Sequence, residues 1–123
     1  MKIQVINPNT SQSMTASIGR AALAVARPGT QIIACCPDAG PESIEGHFDE
    51  AIAAVGVLEE IRKGVAAGYD AHIIACFGDP GLLAARELAR GPVIGIAEAA
   101  FHIASLICTR FAVVTTLTRT RII

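Results

Sequence analysis

Five short apolar runs alternate with stretches of helical periodicity along the whole chain. This alternation limits the fold more than any single motif. The runs are Lys2 to Ile6, Thr30 to Cys35, Ala71 to Ala75, Val93 to Ile96 and Arg110 to Thr115. They are apolar nearly throughout rather than at every second position, as expected of strands buried on both faces. Between the first two, Met14, Ile18, Ala21, Ala22 and Val25 predict a helix that Arg27-Pro28-Gly29 stops. The clearest helix begins at His47, where Ala51, Val55, Leu58, Ile61 and Val65 recur at three- and four-residue steps. Gly68 suits its C-terminal cap. Asp79-Pro80 suits the cap and first position of a third helix running to about Ala89, and Glu98 to Cys108 reads as a fourth. The expected fold is α/β, a parallel sheet with helices on both faces and right-handed crossovers.

The 123 residues make one domain. A net charge of -1 and the lack of a basic face exclude nucleic acid and anionic membrane as partners. No apolar run approaches the ~20 residues of a membrane span. Met1-Lys2-Ile3-Gln4-Val5 reads as a strand rather than a signal peptide, so a cytoplasmic protein is expected. Hydrophobic residues make up 52% and charged residues 17%, more apolar than one small soluble surface needs. That balance points to a second subunit or to further chain. The cysteines at 35, 36, 76 and 108 include no C-x-x-C pair, and adjacent Cys35 and Cys36 cannot form an ordinary disulfide. Thiols, and no metal site, are expected. Asp38, Glu42 and Glu45 read as solvated loop charges and Asp79 as a helix cap.

Ligands of such sheets bind at the carboxyl ends of the strands. Three loops leave those ends: Asn7 to Ser11, Cys36 to Gly46 and Cys76 to Gly81. Cys76 stands out, since a buried strand carries its thiol to the strand tip. The helix expected just beyond points free N–H groups back at it, an environment that favours the thiolate. The competing reading is a small buried hydrophobe. Asn9 offers an amide to a carbonyl or ring nitrogen, and it equally suits helix capping. The chain contains no G-x-G-x-x-G, no G-x-x-x-x-G-K-[ST] and no G-x-S-x-G. His72 precedes Cys76 by four residues on a strand, roughly 13 Å away, too far to act as its base.

Four segments in order carry a resemblance: Val5-Ile6-Asn7-Pro8-Asn9-Thr10-Ser11, Gly40-Pro41-Glu42-Ser43-Ile44-Glu45-Gly46, Ala75-Cys76-Phe77-Gly78-Asp79-Pro80-Gly81 and Gly95-Ile96-Ala97-Glu98-Ala99-Ala100. Over essentially its whole length the chain resembles the hydantoin/allantoin racemase branch of the aspartate/glutamate/hydantoin racemase family. The resemblance implies a cofactor-free isomerase with two similar α/β lobes and one catalytic cysteine in each. Cys76 matches the first. Residues 1–109 match the first lobe with its connecting helix, and residues 110–123 the opening strand of a second, whose Thr115 and Thr116 lie near substrate. Inversion then proceeds by a thiolate removing the α-proton from one face and a thiol returning one to the other. The backbone N–H groups of Phe77 and Gly78, with the side chains of Asn9, Thr115 and Thr116, are candidates to hold the carbonyl that spreads the charge. Ser43 and Ile44 join the substrate-binding set, Ile44 as an apolar wall for a ring substituent.

The three loops contain no Arg or Lys, which favours a neutral hydantoin-like ring over aspartate or glutamate. The second cysteine of the family has no match, since Cys108 sits on a predicted helix. The expected unit is therefore an incomplete racemase. Two alternatives are a homodimer that sets Cys76 of two copies face to face and a domain that binds ligand or protein without catalysis. An aspartate/glutamate racemase fits the cleft less well.

Overall fold

The computed structural model describes residues 1–118. Four parallel strands form one sheet: β1 (Lys2–Ile6), β2 (Gln31–Cys35), β3 (Ala71–Ile74) and β4 (Val93–Gly95), in the spatial order β2-β1-β3-β4. Helices α1 (Gln12–Val25), α2 (His47–Ala66) and α3 (Leu82–Leu88) make the crossovers, and α4 (Ile96–Ile107) follows β4 directly. The chain steps outward from β1 to β2, then crosses back to place β3 on the other side of β1. The strand order therefore reverses between β1 and β3, where open α/β sheets take their ligands.

The two faces follow from the two-residue period of a strand. Ile6 and Ile74, paired in register, face α2 and α3 and pack with Val57, Ile61, Ala85 and Val93. Ile6, Val57, Ile61 and Ile74 have no exposed surface, and each contributes roughly 1.5–3 kcal/mol by burial. On the opposite face Ile3, Val5 and Ile32 meet Ile18, Ala21, Ala22 and Val25 of α1. There α1 approaches so closely that a Cβ on Gly19 would lie 2.9 Å from the Ala34 Cβ. It covers β1 and β2 but leaves an apolar groove of about 590 Å³ reaching Ile73, Ala75 and Ile96.

A polar layer crosses the α2 face. Gln4 donates to the Glu60 carbonyl at 2.9 Å and lies 2.8 Å from the His72 Nδ1. His72 is fully buried, and burial lowers its pKa below 6.5. Gly64 is required here, because a side chain would collide with Gln4 and the His72 ring.

The expected fifth strand is not formed. Residues 110–115 form no regular secondary structure and enter no ladder among the described residues, and Phe111, Val113 and Val114 are exposed. Their sequence has strand propensity, but propensity yields a strand only where a neighbouring edge is in reach. The part of the expected opening strand segment at 119–123 lies outside the described residues. No helix among the described residues is long and apolar enough to cross a membrane.

Candidate active site

Cys76 follows β3 by two residues, at the end of the strand beside the reversal point. The ladder continues just past the strands: the Ala75 N–H donates to the Ile6 carbonyl at 2.8 Å, and the Asn7 N–H to the Cys35 carbonyl at 2.8 Å. These bonds fix the depth at which Cys76 leaves the sheet. The chain then turns at once, with the Asp79 N–H donating to the Cys76 carbonyl at 3.1 Å. The half-buried thiol opens on a cavity of about 330 Å³. Ile44, Glu50, Phe77, Gly78, Phe101 and Val113 to Thr116 complete its lining.

Burial pushes the Cys76 thiol above its ordinary range. The Gly78 N–H opposes that, the Asp79 and Glu50 carboxylates add to it, and the Phe77 N–H opposes it more weakly. The expected preference for thiolate is thus reversed by desolvation. One local feature adds to the reversal. The helix after the turn begins at Leu82 rather than Pro80, so its N-terminus stands further from the sulfur. The N–H groups of Phe77 and Gly78, proposed from sequence to hold a substrate carbonyl, also act on the sulfur, where they favour the thiolate without outweighing burial. When the thiol does ionise, its raised pKa makes it a stronger base toward carbon.

Asp79 does not cap the helix that follows it. The residue holds φ +46, a left-handed conformation that Asp and Asn tolerate better than most. Its carboxylate accepts from the Ala97 and Glu98 N–H groups at 3.1 and 2.7 Å and so caps α4. Helix α3 has Gly81 at its N-cap with φ +74 and no side-chain cap. Gly95 must lack a side chain, since a Cβ there would overlap the Asp79 carboxylate.

The structure gathers six of the eight residues singled out in the sequence around one cavity: Ile44, Cys76, Phe77, Gly78, Thr115 and Thr116. Asn9 and Ser43 are not among its lining residues. Asn9 is buried, its Oδ1 accepting from the Asn7 side chain at 2.6 Å and the Ser11 N–H at 2.9 Å, and its Nδ2 lying 3.2 Å from the Met14 sulfur. Asn7 reaches Thr15 Oγ1 at 3.0 Å and the Ser11 carbonyl at 3.2 Å. The side chains of both asparagines are thus taken up by bonds within the first loop and the start of α1, whose N-cap is Ser11. Ser43 is exposed on the second loop, which touches the first through the Thr10 N–H and the Pro41 carbonyl at 3.1 Å.

Glu50, Phe101, Val113 and Val114 line the cavity without having been singled out. Glu50 lies on the first turn of α2, and its carboxylate stands 3.6 Å from His47 Nδ1. An acidic residue just after a functional loop was the available signal. Phe101 meets Phe77 edge to face at 5.6 Å and stacks on Phe111 at 6.0 Å. Cys35 lies apart from the cavity, its thiol held near Gln4 and pushed up to about 12 by burial. No group of three His, Cys, Asp or Glu residues among those described is placed to hold a metal ion.

The fold is thus a doubly wound α/β unit with a thiol at its reversal point, beside a cavity whose lining holds no Lys or Arg among the described residues. Comparison with known proteins narrows the class. A family model described as Asp/Glu/Hydantoin racemase matches residues 3–123, and the chain belongs to that family. It is 55% identical over 119 residues to a hydantoin racemase of Pseudomonas sp. (strain NS671), covering 97% of this chain and 48% of that protein. A hydantoin racemase of Rhizobium meliloti is 54% identical, with 97% and 49% covered. The fold superposes on an allantoin racemase from Klebsiella pneumoniae with a TM-score of 0.97 and 71% identity, covering 99% of this chain and 50% of that one. The chain thus spans about half the length of the relatives it matches.

Proposed function

We propose that this chain carries one of the two acid/base groups of a cofactor-independent racemase acting on 5-substituted hydantoins or allantoin. Cys76 is that group. Its thiolate takes the proton from the stereocentre and becomes a thiol, and the electron pair left on carbon moves onto the neighbouring ring carbonyl. A thiol on the opposite face then returns a proton to the carbon. That second group comes from chain beyond this lobe, or from a second copy of it, and the unit as given is incomplete. Residues 1–109 are the first lobe with its connecting helix, and 110–123 open the second. A cytoplasmic homo-oligomer is the setting we infer.

The observation that carries the proposal is the sulfur itself, half-buried at the strand tip and open to a cavity with two backbone N–H groups aimed at it. Names of relatives support the substrate class, since hydantoin and allantoin racemases recur among them. Incompleteness is supported by exposed Leu106, Ile107 and Val114 and by the apolar groove beside α1. Apolar surface on this scale normally meets another surface.

The test follows optical rotation and α-deuterium incorporation in D₂O with enantiopure 5-benzylhydantoin, for the wild type and Cys76→Ser. The expected result is exchange in the wild type and a drop of roughly a hundredfold or more in the variant. Exchange without inversion marks a lone working base. Equal rates would remove Cys76 from the mechanism. Binding with no exchange in either would favour a ligand-binding domain.

A further inference from the structure

The cavity wall offers one charged side chain besides the thiol, and it is an acid. Among the described residues, Glu50 stands in a lining otherwise made of aliphatic, aromatic, glycine and threonine residues. A carboxylate has no proton to give, so what it takes from a ligand is an N–H. It also repels a second carboxylate in the same low-dielectric space. We propose that Glu50 is the specificity-determining acceptor of this site, binding a ring N–H of a neutral cyclic ureide and turning away substrates that carry a carboxylate. The inference rests on the racemase reading above and adds to it how the ring is selected.

Three observations converge on this role. Glu50 is placed by the first turn of α2, a rigid element of twenty residues, rather than by a loop. Its side chain is only 24% exposed, with His47 Nδ1 3.6 Å from its carboxylate and the His47 side chain 65% exposed. Its charge is felt at the Cys76 sulfur, so carboxylate and thiol act on one volume. A hydantoin carries an N–H next to the carbon that is inverted. An acceptor sharing a cavity with the base is suited to hold that ring edge.

The experiment uses the 123-residue chain and reads alkylation of Cys76 by iodoacetamide, peptide by peptide, by mass spectrometry. Three probes compete: 5-benzylhydantoin, its 1,3-dimethyl derivative without N–H groups, and the anionic N-carbamoylphenylalanine. For the wild type, 5-benzylhydantoin protects Cys76, the dimethyl ring needs at least about tenfold more, and the anion does not protect. For Glu50→Gln, 5-benzylhydantoin needs roughly ten- to a hundredfold more, the dimethyl ring is unchanged and the anion gains. Thermal unfolding of both proteins checks that the variant is folded.

Equal protection of the wild type and Glu50→Gln by 5-benzylhydantoin overturns the assignment of Glu50 alone. So does an equal loss for both rings, which marks a structural role. No protection of the wild type by any ring overturns this inference and the racemase reading together. Protection with the expected pattern but no deuterium exchange keeps Glu50 as the selector and overturns racemisation.

Discussion

Two strand-tip loops sit side by side on this sheet and direct their polar groups to opposite ends. The loop after β1 turns its polar groups inward. Asn7 and Asn9 bond to each other, to Ser11 and to Thr15. The loop after β3 leaves its first residues open, with Cys76, Phe77 and Gly78 facing the cavity, and is anchored to α4 through Asp79. A loop that satisfies its own donors and acceptors is a structural part. A loop that satisfies them elsewhere leaves its chemistry free.

Four changes break or sharpen this contrast. Gly95→Ala has the largest expected effect on stability, since its methyl would displace the Asp79 carboxylate from α4; we expect a loss of about 3 kcal/mol in urea unfolding. Asn7→Ala removes a buried amide and leaves Thr15 and Asn9 short of a partner, for about 2 kcal/mol. Its iodoacetamide rate at Cys76 should match the wild type, and a changed rate would dissolve the division between the loops. Asp79→Ala costs about 1 kcal/mol through the lost cap and also moves the pH midpoint of Cys76 alkylation downward, because a carboxylate that opposes the thiolate is gone. Asp79→Asn should shift that midpoint in the same direction while tolerating the left-handed backbone.

The smallest effect is that of pH on the unaltered chain. His72 is held neutral by burial, so its folded pKa lies below the unfolded value of about 6.5. The stability this confers is present above pH 6.5 and declines as the pH falls toward the folded pKa. Urea midpoints at pH 7.5 and 5.5 should therefore differ, with the lower value at pH 5.5. The raised thiol places the pH midpoint of Cys76 alkylation above that of an ordinary cysteine.

Much of the fold was legible because periodicity is local. Apolar runs and three- and four-residue steps located four strands and four helices to within a few residues. Phe111-Ala112-Val113-Val114 misled because strand propensity carries no information about whether an edge is available. Cys76 was legible as a thiol at the junction of a buried run and a turn. Asn9 was ambiguous from the start, since the same amide caps a turn or binds a ring. The role of Asp79 was hidden because its partners lie eighteen and nineteen residues further on, across the sheet. Glu50 escaped notice because a helix pattern separates wet from dry faces without saying which end of the helix overlooks the strand tips.

The bond pair between Asp79 and the start of α4 has a mechanical meaning. It tethers the sulfur-bearing turn to a helix that exposes Ile103, Leu106 and Ile107 on its outer side. A displacement of α4 would therefore be carried, through two hydrogen bonds, to the turn that holds the sulfur.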